Sequence, residues 1–335
     1  LELALPIAIV LSVFLALNIG ANNSAASMAT AYGAGVRSKR EAVTLIAVFA
    51  LLGAFLAGKP VITTLGKGLV PESVLSSHIA LVLVVLLIAV LFISWANIAR
   101  VPVATTHALV CAIAGVGLYA KELNTGKFLS IVAWWVVTPF IAWFVNYLIG
   151  KYLYFKILKF LTDRYSEASI RRILSLLLTL SGCYVAFSAG ANNSANSVGP
   201  LVGMGLINPS VGAILAGLGM GIGAILFGGR VLDTVGKQIT EICILRAISV
   251  EFTGSTIILI ASIFGIPVSL AEIITSGIIG FSCANDGFSA TAENKHVLRI
   301  AFFWFIAPFF AVVASYVLSS IYFKYGILSM LNTNL

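Results

Sequence analysis

Gly20-Ala-Asn-Asn-Ser-Ala-Ala-Ser-Met-Ala29 and Gly190-Ala-Asn-Asn-Ser-Ala-Asn-Ser-Val-Gly199 agree at seven of ten positions, 170 residues apart. Each follows an apolar run, Leu3 to Ile19 and Ile173 to Ala189. Fainter echoes keep almost the same offset: Pro102-Val103-Ala104 returns as Pro267-Val268-Ser269, and Trp135 with Pro139 returns as Trp304 with Pro308. Landmarks at near-constant spacing along a whole chain mark an internal duplication.

The text between these landmarks is too apolar for water. Of 335 residues, 60% are hydrophobic and 10% charged, and the mean hydropathy is +1.07, whereas soluble domains carry about 25% charged residues. Twenty Lys plus Arg and twelve Asp plus Glu cannot coat a core of this size. Disordered and disulfide-framework classes are excluded as well, because Cys111, Cys183, Cys243 and Cys283 stand singly in apolar runs. Ten stretches suffice to span or half-span a bilayer: 3–19, 42–57, 79–99, 102–120, 128–150, 173–189, 209–227, 245–264, 267–281 and 300–322. Lipid offers backbone groups no partner and period-2 alternation is absent, so all ten are expected to be helices. The fold expected is all-α and polytopic.

The net charge of +8 lies in polar breaks between the apolar runs, which makes it topological information rather than a nucleic-acid footprint. The densest cluster, Lys151, Lys156, Lys159, Arg164, Arg171 and Arg172, is placed in the cytoplasm by the positive-inside rule. Leu1 to Ile19 has no basic start and carries Glu2, so it is read as a first membrane segment and not a cleaved signal. Residues 1–150 and 173–335 are then two repeats of about five helices, and 151–172 a cytoplasmic basic linker. Five crossings per repeat put both chain ends outside and turn the halves upside down relative to each other. The charges agree: Arg37, Lys39 and Arg40 follow the first amide motif, while residues 203–210 after the second carry none. Inverted repeats with broken or half helices meeting at the midplane are the architecture of secondary transporters.

The amides are placed where a membrane helix should be greasiest. Asn and Ser can face an anion with N–H and O–H groups, or a hard cation with oxygens. Gly20 and Gly190 would let the backbone leave the helix and present free groups to a ligand. Small residues with interhelical Asn bonds also serve as packing glue; duplication in both halves favours the ligand reading. Pro102 through Thr105, Thr106 and His107 reads as a helix starting inside the membrane, with N–H groups open to an anion. Its counterpart has Leu270, Ala271 and Glu272 at those positions. Glu251, in Ser249-Val-Glu-Phe-Thr-Gly254, is an ionisable group within an apolar span and so a candidate for Na⁺ or a proton. Asp233, Glu241, Asp286 and Glu293 read as solvated loop charges. A P-loop spacing at Gly53 to Lys59 fails because Pro60 occupies the hydroxyl position, and no nucleophile and base pair suggests an enzyme.

At these residues the chain resembles the inorganic phosphate transporter family known as PiT. Its signature, Gly-Ala-Asn-Asp/Asn once per half, matches Gly20 to Ser24 and Gly190 to Ser194. Pro102 to His107 is similar to the family's Pro-Val-Ser-Thr-Thr-His, and Gly229 to Lys237 to its second-half loop. The resemblance implies phosphate import coupled to Na⁺ or H⁺, ten to twelve crossings with broken helices, and a homodimer. Many relatives carry Asp where this chain has Asn23 and Asn193, which favours Na⁺ over H⁺, since an amide oxygen ligates Na⁺ without exchanging protons. Combined with the residue chemistry, this assigns Asn23, Ser24, Thr105, Thr106, Asn193 and Ser194 to phosphate. Asn22, Asn192, Glu251 and Ser269 go to Na⁺ as the coupling ion, and no other cofactor is implied. With no Lys or Arg in either motif, Na⁺ is expected to supply the missing positive charge. A passive anion channel is the competing class.

Overall fold

The computed structural model describes residues 3–99, 104–236, 244–288 and 295–325. Pro102, Val103, Lys237, Glu241, Cys243 and Glu293, named above, lie outside them. The first half builds α1 (Ala4–Gly33), α2 (Lys39–Ala57), short α3 (Lys59–Thr63) and α4 (Glu72–Ser77), α5 (Ile79–Ala99), α6 (Thr105–Ala120) and α7 (Thr125–Leu148). After α8 (Tyr154–Arg164), the second half gives α9 (Glu167–Gly203), α10 (Pro209–Gly223), α11 (Gly229–Gly236), α12 (Ile244–Ile263), α13 (Leu270–Asp286) and α14 (Lys295–Tyr325). Each apolar stretch expected to be helical has a helix over most of its length, although the stretch from 267 becomes helical only at Leu270, and the described residues contain no strand. The linker is helical too: α8 exposes Phe155 and Phe160 beside its lysines, and α9 already begins at Glu167.

Six helical stretches are long and apolar enough to cross a bilayer, with shorter apolar helices between them. Side chains such as Val136 and Phe140 on α7, and Phe309 and Phe310 on α14, are more than half exposed. Patches of that kind belong in lipid, and the chain is a multi-pass membrane protein.

Equivalent sequence gives equivalent local structure. α2 starts at a capping box in which Ser38 accepts the Glu41 N–H and Glu41 accepts that of Ser38; α10 starts at Asn208, whose side chain accepts the Val211 N–H. α1 and α9 both end on a glycine in the left-handed region, Gly35 (φ 67°) and Gly205 (φ 74°), as helix stops require. The tertiary contacts exchange between halves in the same way. Gly20 packs on the Met220 backbone and Gly190 on that of Ala50; Gly53 packs on Phe187 and Gly223 on Leu17. Each of these pairs becomes the other under a shift of 170. Along α1 and α9, Ser12 donates to the Ser197 carbonyl (2.6 Å), Asn193 donates to Asn23 (3.2 Å), and Gly182 faces the Ser27 carbonyl. As one helix ascends the other descends, so the two equivalent helices run antiparallel.

One expectation is corrected. Gly20 and Gly190 do not break their helices: α1 and α9 run unbroken through both amide motifs. The missing side chains let α10 and α2 approach backbone to backbone. The interruption that the described residues show falls instead before α13, where residues 266–269 are non-helical and lead into Leu270. Because a Cβ at Gly190 would overlap the Ala50 carbonyl, a backbone atom that cannot rotate away, Gly190→Ala is expected to cost about 1–3 kcal/mol by overpacking. The check is a lower melting temperature in detergent; unchanged melting would contradict the close approach.

Candidate functional site

Where α1 crosses α9, the two amide motifs meet. Asn23 and Asn193 are 6% and 3% exposed, and the Asn193 Nδ2 donates to Asn23 Oδ1. They occupy equivalent positions, so their bond lies on the axis relating the halves. The remaining Asn23 Nδ2 and Asn193 Oδ1 are buried without a partner, which is costly unless something else occupies the space beside them.

That space is a cavity of about 260 Å³, several times the roughly 30 Å³ share of one water. Asn23, Asn193, Thr105, Thr106, Ser269 and Glu251 all line it. α6 begins at Thr105 without a side-chain cap, so its first-turn N–H groups are free to meet an anion. Asn196 Nδ2 donates to Thr106 Oγ1 at 3.0 Å, leaving the Thr106 proton available to a guest. α13 is less open, since Ser269 Oγ already accepts the Glu272 N–H (3.3 Å).

Glu251, 4% exposed, reaches the cavity from α12 and accepts the Ser181 hydroxyl. Asn22 lines the cavity on its open side and is exposed. Seven of the ten residues assigned from sequence therefore border one space: Asn22, Asn23, Thr105, Thr106, Asn193, Glu251 and Ser269.

The other three are elsewhere. Ser24 is buried and donates to the Gly20 carbonyl at 3.2 Å, against Gly228. Ser194, its equivalent, is buried against Gly58. Asn192 points away from the cavity and holds the non-helical segment before α13. Its Nδ2 donates to Ser262 Oγ (2.9 Å) and the Ile266 carbonyl (3.1 Å), and its Oδ1 accepts the Val268 N–H (3.0 Å). Both donors and one acceptor position are used, so the side chain acts here as a clamp on that segment and does not line the cavity. Trp135 Nε1 adds a bond to the Pro267 carbonyl (2.8 Å).

Two features went unassigned from sequence. Arg246 borders the cavity, with its guanidinium over Phe281 and its Nε buried without a partner. A fixed positive charge therefore borders the cavity from outside the two motifs. The signal was available in the spacing: Arg246, Ala247, Val250 and Glu251 fall on one helical face. The second is a pair on the axis, His107 and Glu272, equivalent positions whose Nδ1 and Oε1 lie 3.1 Å apart without hydrogen-bond alignment. Both are nearly fully buried, and His107 stacks on Trp135 at 3.7 Å.

A cavity lined by donors, at the crossing of two antiparallel helices with duplicated motifs, directs the comparison with known proteins. The sequence profile of the phosphate transporter family matches residues 19–315. The chain belongs to that family. The solved structure titled "The sodium-dependent phosphate transporter" superposes with a TM-score of 0.81 at 25% identity, covering 97% of this chain and all of the other. Among curated relatives, the sulfate permease CysP of Bacillus subtilis is 37% identical over 320 residues, 95% of this chain and 88% of its own. Members of the phosphate transporter family are transporters and permeases, not enzymes.

Proposed function

We propose that this protein imports a tetrahedral inorganic oxyanion by symport with Na⁺. Phosphate is the substrate named for the family and for the solved neighbour, sulfate the one named for the Bacillus subtilis relative. The observation that carries this reading is the buried Asn23–Asn193 pair, with unpartnered polar atoms at the cavity floor and the Glu251 carboxylate beside it. Amide and hydroxyl donors, the α6 N-terminus and Arg246 hold the anion; Glu251, Asn22 and Ser269 provide oxygens for Na⁺. An anion entering a low-dielectric site is unfavourable by several kcal/mol unless cations accompany it, which makes the coupling an electrostatic consequence.

The positive-inside rule supports a cytoplasmic basic linker with both termini outside, and the antiparallel α1 and α9 support halves inverted across the bilayer. Arg246 lies over Phe281, against which Gly150 and Tyr154 at the linker also pack. Arg246 then stands at the cytoplasmic end of the cavity. Rocking of one repeat against the other alternates access.

A second reading, coupling to H⁺, is favoured by the buried His107–Glu272 pair. Uptake of labelled phosphate and sulfate into proteoliposomes separates the two. An inward Na⁺ gradient is expected to drive saturable uptake of at least one oxyanion, and K⁺ in its place to abolish it. A response to an H⁺ gradient alone supports the second reading, and indifference to both rejects symport.

A further inference from the structure

We propose that the cavity selects an oxyanion that carries no proton, so that sulfate is taken in preference to hydrogen phosphate. The inference rests on the reading of the cavity as the oxyanion site. Around neutral pH a phosphate ion bears at least one P–OH, and sulfate bears none. A buried hydroxyl left without an acceptor loses its hydrogen bond to water and gains nothing in return. A site that discriminates for phosphate therefore presents a carboxylate to that hydroxyl, and the same carboxylate repels sulfate, which has only lone pairs to offer it.

This cavity lacks such a group at the axis. The two residues that meet there, Asn23 and Asn193, are amides. The Thr106 oxygen accepts from Asn196, and its proton remains to be donated. Among the described cavity-lining residues Glu251 is the one carboxylate, and it accepts the Ser181 hydroxyl while serving the cation. The unpartnered oxygen of the amide pair, Asn193 Oδ1, is uncharged, and so are the hydroxyls of Thr105, Thr106 and Ser269 that line the cavity. Apart from Glu251, the charge presented to a guest is positive: the Arg246 guanidinium and the uncapped α6 N-terminus. A proton-free dianion pairs with both; a protonated one has only neutral oxygens to receive its hydroxyl.

The test measures uptake of ³⁵S-sulfate and ³²P-phosphate in the same proteoliposomes, each competed by the other. The unaltered protein is expected to show a half-saturation at least tenfold lower for sulfate. Asn193→Asp places a carboxylate on the axis and is expected to lower the ratio of sulfate to phosphate uptake at least tenfold, whatever it does to the absolute rates; Asn23→Asp repeats the experiment from the other half if the first variant does not fold. Phosphate uptake that a hundredfold excess of sulfate leaves untouched would overturn the preference and leave the transporter reading standing. Equal loss of both anions in both variants would overturn the role given to the amides. Transport of neither anion under any gradient would overturn the transporter reading and the preference with it.

Discussion

Glu251→Gln is expected to lower Na⁺-driven oxyanion uptake by about a hundredfold while leaving the protein folded. Glutamine preserves the length of the side chain and an oxygen to accept the Ser181 hydroxyl, so the packing of α9 on α12 survives. What is lost is the one carboxylate among the described residues lining the cavity. An interaction with a charged partner contributes about 1.5–3 kcal/mol, and each 1.4 kcal/mol is roughly tenfold in affinity. The loss should appear in the Na⁺ dependence: half-saturation by Na⁺ rises sharply, and oxyanion binding at saturating Na⁺ changes little. Melting in detergent controls for folding. A variant with unaltered Na⁺ half-saturation would remove Glu251 from the cation site.

Asn192→Leu is expected to loosen the non-helical segment before α13. Leucine fills a similar volume but returns none of the three hydrogen bonds to Ser262, Ile266 and Val268. It leaves a buried N–H and a buried carbonyl unpaired, at about 1–3 kcal/mol each. Residues 266–269 feed directly into α13, so losing their anchor should release the segment that positions Ser269 beside the cavity. A cysteine placed at Ile266, 4% exposed, in a chain freed of its four native cysteines should react with a hydrophilic thiol reagent at least tenfold faster in the Asn192→Leu background, and uptake should fall by a similar factor. Equal labelling in the two backgrounds would show that the amide does not hold this segment.

The scaffold was legible because lipid leaves so few options. Ten apolar stretches had to become helices, and each has a helix over most of its length. The duplicated motifs also located the site, since residues repeated at an offset of 170 come together on the axis that relates the repeats. What a one-dimensional reading could not decide was direction. Asn192 and Asn193 are neighbours in sequence but about 100° apart around α9, so one faces the cavity and the other the segment before α13. Gly20 and Gly190 could equally have marked a break or a close approach, and only the backbones of Met220 and Ala50 opposite them settle which. Arg246 was not singled out, because it opens the stretch 245–264 just after a polar break, although its spacing to Glu251 puts both on one face. The exchange of His107 for Glu272 was visible as a substitution between halves. That the two residues face each other across the axis was not.

The central claim is that the anion rests at the Asn23–Asn193 crossing with Na⁺ beside it. Selenate, a tetrahedral dianion with a strong anomalous signal, tests this most directly in crystals of the protein grown in Na⁺. The account predicts one anomalous peak within hydrogen-bond distance of Asn193 and Thr106 that weakens when K⁺ replaces Na⁺. A peak elsewhere in the molecule, or one at the axis of equal strength in both salts, would contradict it.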